Sequence, residues 1–323
     1  MLNDNQRDIS PSQLHIDQTK FQFKVRHPLL VLVWSIGLLI VMNLPNYLGS
    51  LIGAMMGGLT FQQVISGEKG NLLSHLGQGL TAAIVGIPLA YLAIRYLWRR
   101  SDDWMKLHFN GQLAIGGLML GLILPPVVLG IISIFADVTV TADLSRLSFG
   151  DSLMIAGSSI CWMAFVGFSE ETVFRGMIVR EWGSRWGWTV ATLLGGLLFA
   201  ALHLPGVEGG LTLTSVIWIL VAGTAVTASF VALYVRARSL WLPIAFHAGW
   251  NFCLEGVLGI TISGKEPGNS LYQMSVSGQD WLTGGAFGIE ASVFAIAVYL
   301  LVALAAVRIG VSSRQQLLSS QPE

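Results

Sequence analysis

What this chain can fold into is set by eight stretches, each apolar over enough residues to cross about 30 Å of hydrocarbon. They cover residues 28–51, 75–98, 113–135, 153–179, 188–204, 216–235, 240–258 and 286–307. The expected fold class is therefore all-α: a polytopic transmembrane helical bundle of about eight spans. The first run holds Pro45, where a break would leave LGSLIGAMMGGL as a re-entrant or lipid-facing piece. Only 11% of the residues are charged, against about 25% in a soluble domain, so the chain belongs in lipid. Its formal net charge of zero offers no basic surface for nucleic acid. Cys161 and Cys253 sit in apolar runs as small packing residues, with no disulfide framework and no zinc-ligand spacing.

The connections between runs alternate in charge. Lys20, Lys24 and Arg26 precede the first run. Arg95, Arg99, Arg100 and Lys106 mark the second connection, Arg180 and Arg185 the fourth, Arg236 and Arg238 the sixth, and Arg308 and Arg314 the end. The odd connections are poorer in cations: Glu68 and Lys69 in the first, Asp137, Asp143 and Arg146 in the third. Glu208 stands in the fifth, and Lys265, Glu266 and Asp280 in the seventh. This positive-inside pattern puts both termini in the cytoplasm and requires an even number of spans. Residues 1–27 read as a retained polar tail, 28–310 as one membrane domain, and 311–323 as a second tail.

Few strongly polar groups lie deep in these runs: Glu170, Glu171 and Arg175 in the fourth, His203 in the fifth, His247 and Asn251 in the seventh. A charge at the bilayer centre costs roughly 2.5–3.5 kcal/mol on insertion scales, so such groups are functional candidates, with structural ion pairing as the competitor. In FSEETVFRGM, Glu171 and Arg175 are four apart with Glu first, the favourable order for an intrahelical pair. Glu170 is turned about 100° from Glu171 and shares its stripe with Phe174. It is the carboxylate left over, unless Arg175 clamps both. FAALH sets Phe199 and His203 one turn apart; the histidine also fits a satisfied core or helix-end role. HAGWN sets His247 and Asn251 on one face, with small Ala248 and Gly249 allowing close approach; interhelical hydrogen bonding is the plain alternative. Glu255 continues that stripe as outer support or without a role.

Heights decide whether these groups can meet. The midpoint between Glu170 and His203 falls in the turn EWGSRWGW, so an antiparallel hairpin there levels the two. His247 lies nine residues past Arg238, roughly 13 Å into its helix. The hairpin must then project beyond the bilayer by some turns, or begin with an interfacial piece, for which Arg180, Glu181 and Arg185 are suited. A carboxylate and an imidazole can hold and deprotonate water, worth about 10²–10⁴ in rate. A second imidazole and a carboxamide can point N–H groups at one oxyanion, each worth about 10²–10³. Such a set attacks an amide carbonyl with water. Cys161 is too far along the axis to act as nucleophile, and Ser169 points elsewhere.

EETVFR at 170–175, FAALH at 199–203 and HAGWN at 247–251 resemble the EExxxR, FxxxH and HxxxN motifs of the CPBP intramembrane proteases. That family includes type II CAAX prenyl proteases and bacterial abortive-infection and bacteriocin-processing proteins. The resemblance covers about residues 150–260. It implies an eight-helix glutamic endopeptidase, with Glu170 as base, His203 as its partner on the water, and His247 with Asn251 as oxyanion hole. Glu171, Arg175 and Phe199 take supporting positions. It further implies a peptide or protein substrate, lipidated or not, and a bacterial plasma-membrane protein whose site opens to the cytoplasm. No cofactor is implied. Zinc held by Glu170, His203 and His247 is the metal alternative, though no HExxH helix is present. A proton-coupled carrier or an immunity protein with a dead site are the non-enzymatic alternatives.

Overall fold

The computed structural model describes residues 27–65, 71–98, 101–208 and 210–319. Lys20, Lys24, Arg26, Glu68, Lys69, Arg99, Arg100 and the side chain of Arg314 lie outside what it describes, as do residues 1–26 of the tail read at 1–27 and 320–323 of the tail read at 311–323. The apolar runs become helices. They are α1 Pro28–Met56, α2 Leu72–Tyr96, α3 Gly111–Ile132, α4 Phe149–Trp186, α5 Trp188–His203 and α6 Leu213–Ala237. Next come α7 Trp241–Asn251, continued by the π-helical turns Phe252–Leu258, and α8 Val293–Ser319. The first six are long and apolar enough to cross a membrane. The chain is an integral, multi-pass membrane protein with a helical bundle fold.

Two boundaries differ from the sequence reading. α1 does not break at Pro45; it runs on to Met56 and buries Asn46, Gly49, Gly53 and Ala54. That stretch packs against α2, and the packing gained along it holds the helix through the one hydrogen bond a proline removes. The eighth helix starts at Val293, not near residue 286. Gly284, Gly285 and Gly288 hold φ of 81°, 55° and 98°, which a right-handed helix cannot contain. Residues 285–291 instead form two short 3₁₀ turns, Gly285–Phe287 and Ile289–Ala291.

With charge scarce, neutral caps start the helices. Asn71 accepts from the Ser74 N–H at 2.9 Å, Ser148 from Asp151 N–H at 3.0 Å, and Thr212 forms a reciprocal capping box with Ser215. α1 packs on α2, α2 on α4, and α4 on α7, which also lies along α3; α6 packs on α5 and α8. The outer face of α1 leaves Leu29, Val33, Ile40 and Leu44 exposed, as a lipid-facing helix does. On the odd-connection side, β1 Asp137–Ala142 pairs antiparallel with β2 Gln273–Ser277, Asp137 opposite Ser277. The Arg146 guanidinium donates to the Ser270 carbonyl at 2.6 Å and ties the same two connections together.

The core has two clusters. One gathers Phe165, Phe174, Phe199 and Tyr234, the other Phe230, Phe246, Trp250 and Phe287. One cavity is lined from both and lies where they meet.

Candidate active site

α4 is 38 residues long, about 57 Å at 1.5 Å per residue, nearly twice the hydrocarbon thickness. A helix of that length is long enough for either arrangement that levels Glu170, His203 and His247, a projecting hairpin or an interfacial first piece. The helix is α-helical through Glu171 and winds as π-helix over Thr172–Val179. α7 does the same immediately after Asn251. Insertions of this kind are frequent at functional sites because they re-aim the side chains around them. At the first, the Thr172 hydroxyl donates to the Phe168 carbonyl at 2.6 Å.

The two adjacent glutamates have separate surroundings. Glu171 is fully buried, and its Oε1 accepts from Arg175 Nη1 at 2.9 Å and from His247 Nδ1 at 2.8 Å. Arg175, also fully buried, donates from Nη2 to Thr227 Oγ1 on α6 at 3.0 Å. Its guanidinium lies between two rings, 4.6 Å from the Phe199 centroid and 5.0 Å from that of Phe230. Burying such a cation is tolerable only with this many partners. One carboxylate oxygen thus ties α4 to α7 directly and to α6 through Arg175. Glu170, about 100° around the helix, keeps 24% of its side chain exposed and faces the cavity. Its Oε2 is 3.9 Å from His247 Nε2. Arg175 therefore pairs with Glu171 and leaves Glu170 unclamped.

His203 ends α5, and its Nδ1 lies 2.7 Å from the Phe199 carbonyl. A carbonyl only accepts, so Nδ1 carries the proton and the neutral ring presents Nε2 as an acceptor. His247 is fixed in the same way: Glu171 Oε1, which already accepts from Arg175, takes its Nδ1–H, and Nε2 turns toward Glu170. A doubly protonated His247 would stand between two carboxylates, with Nε2–H free to donate. Asn251 is only 8% exposed and lines the cavity. Among the described residues its carboxamide has no hydrogen-bond partner.

α7 is held where these groups can face one another by close backbone approaches to α3 and α4. A Cβ built on Gly121 of α3 would lie 2.3 Å from the Phe246 carbonyl oxygen, and one on Gly167 of α4 2.7 Å from that of Ile244.

Glu170, His203, His247 and Asn251 all line one cavity of about 480 Å³, within the range of small-ligand sites. Phe174 and Phe199 line it too, their rings edge-to-face at 4.9 Å. Sequence reasoning missed three residues here. Thr227 looks like any weakly polar residue of a membrane helix and gives no signal. Glu290 had one, a lone carboxylate in the apolar run GAFGIEASVFAIAVYL. It lines the cavity and accepts from Ser263 N–H at 2.8 Å and Ser263 Oγ at 3.2 Å. Ser263 has no signal because its backbone carries half of that contact. Glu255 also lines the cavity. Among the described residues no three His, Cys, Asp or Glu side chains gather as a metal-ligand group.

Residues 152–253 match the family model of the type II CAAX prenyl endopeptidases, Rce1-like. This segment is thus similar to the CPBP/CAAX protease family. The Rce1-like match covers less than half of the chain, yet it begins in the first turn of α4 and ends two residues beyond Asn251, so it contains all four cavity residues. No curated protein and no solved structure matches the chain. The Rce1-like family is one of proteases, which supports a membrane endopeptidase of CAAX type.

Proposed function

We propose that this chain is a glutamic membrane endopeptidase that hydrolyses a peptide bond with water activated by Glu170 and His203. The observation that carries the reading is the division of labour between neighbours. Glu171 is consumed by Arg175 and His247, while Glu170, His203, His247 and Asn251 share one cavity with polar atoms unspent. A water lying between Glu170 and His203 Nε2 has two acceptors for its two protons, which leaves an oxygen lone pair for attack. The oxygen bonds to the carbonyl carbon, and the C=O π electrons move onto the carbonyl oxygen. The Nε2–H of a doubly protonated His247 and an Nδ2–H of Asn251 stabilise that oxyanion, each worth about 10²–10³ in rate. The proton taken from water passes to the leaving nitrogen as the C–N bond breaks, and Glu170 is regenerated.

The substrate is a peptide or protein. Lipidation is one feature to probe, since the matched family is described as a prenyl endopeptidase and the cavity has an apolar wall at Leu39, Trp162 and Val166. The test uses purified protein in detergent with farnesylated and plain quenched peptides, in water enriched in ¹⁸O and with or without a zinc chelator. Expected is cleavage that survives the chelator and puts one ¹⁸O into the new carboxyl group. Activity lost to the chelator and restored by zinc would replace this reading with a metalloprotease. No cleavage of either peptide would move the search to transport.

A further inference from the structure

Beyond the four groups assigned above, the cavity has a second polar end. Glu255 lines it about one turn past Asn251, no more than about 6 Å along the axis. Glu290, from the short turn before α8, lines it within electrostatic reach of Glu255, and Tyr299 of α8 lines it within reach of Glu290. Acceptors are left over at this end. Glu255 makes no hydrogen bond or ion pair among the described residues. Glu290 spends Oε2 on Ser263 and keeps Oε1. The Tyr299 hydroxyl has no hydrogen-bond partner among the described residues, although the residue is only 3% exposed. Buried polar groups are nearly always hydrogen-bonded, so this many unspent acceptors in one place point to a donor from outside the chain.

Charge narrows the donor. Besides its histidines, the lining carries Glu170, Glu255, Glu266 and Glu290 against one cation, Lys265, which is exposed and forms no ion pair among the described residues. Two carboxylates facing one space of low polarity repel each other. A cation between them removes the repulsion and makes charge-assisted hydrogen bonds to both. We propose that this end of the cavity is a subsite for a basic side chain of the substrate, lysine or arginine, received by Glu255, Glu290 and the Tyr299 hydroxyl. The substrate class is then a peptide with a cation close to the bond that is cut. An extended peptide advances about 3.3 Å per residue, so the cation belongs within about two residues of that bond. The assignment rests on the reading of this cavity as the peptide site.

Binding tests the subsite without requiring turnover. The full chain carrying Glu170→Gln, in an uncharged detergent, is titrated with fluorescent peptides blocked at both ends. A neutral parent is compared with versions bearing a single lysine, arginine, norleucine or glutamate at successive positions. Expected is a gain in affinity of at least tenfold for lysine and arginine over norleucine at one position or two adjacent ones, with glutamate weakest there. Adding Glu255→Gln or Glu290→Gln should shrink that ratio below about threefold, while Glu255→Asp, which keeps the charge, should preserve most of it. Unfolding temperatures show that the variants compared are folded. No position preferring lysine over norleucine, an equal gain at every position, or a ratio unmoved in folded Glu255→Gln and Glu290→Gln would overturn the proposal, as would binding of no peptide. In the unaltered chain kcat/KM should show the same preference, carried by KM, with the basic residue within about two positions of the bond cut. Basic peptides that bind with this preference and are never cleaved would support the subsite and count against the hydrolytic reading alone.

Discussion

Glu170 and Glu171 are chemically identical, adjacent in sequence, and held on one helix, yet they should fail in different ways when replaced. Glu171→Gln leaves Arg175 buried without its counter-charge, and breaking one side of a buried pair costs about 3–5 kcal/mol. Unfolding measured in detergent should show that loss. Glu170 makes no hydrogen bond among the described residues and borders the cavity, so Glu170→Gln should leave the unfolding temperature unchanged. Asn251→Ala belongs with Glu170: kcat should fall about 10²–10³-fold, with stability retained because the carboxamide holds nothing in the fold. A clear drop in unfolding temperature for Asn251→Ala would show it to be interhelical glue. At this scale the sequence was legible wherever helical spacing decides. The i, i+4 order of Glu171 and Arg175 and the rotation of Glu170 follow from the helix alone. The Nδ1 contact of His247 with Glu171 does not, because it depends on how α7 docks on α4, and neither does Thr227.

At the scale of elements, the site depends on α7 sitting between α3 and α4 at backbone contact. Gly167→Val would put side-chain atoms where the Ile244 carbonyl lies, pushing α7 away and separating Glu170 from His247. Cleavage should fall by at least tenfold in kcat, while Gly37→Ala on α1, where an added Cβ meets nothing within 4 Å, should leave it unchanged. Equal activity in the two variants would show that α7 has room to shift without harm. The existence of each helix was readable because an apolar run of spanning length has few other solutions in lipid. Their ends were harder. Pro45 looked like a break, but packing against α2 outweighs one missing hydrogen bond. The start of α8 was masked because the glycines that exclude helix at 284–288 lie within a continuously apolar stretch, and Glu290 was lost from view with it.

For the whole molecule, composition and the length of the apolar runs indicated the membrane class. What they could not give is how the odd connections close over the cavity. β1 and β2 are paired across a long span of sequence, and the Glu290–Ser263 and Arg146–Ser270 contacts join residues with no local pattern between them. Non-local contacts of this kind leave no period in the chain. They matter because they hold the seventh connection, whose Ser263 and Glu290 line the cavity. The account as a whole stands on one residue acting as base. Its most direct test is the cleavage rate of Glu170→Gln against the unaltered protein, at saturating peptide with chelator present, after equal unfolding temperatures have shown both to be folded. A fall of about 10²–10⁴-fold, the usual contribution of a general base, is the predicted result. A folded Glu170→Gln that cleaves at the original rate would contradict the account.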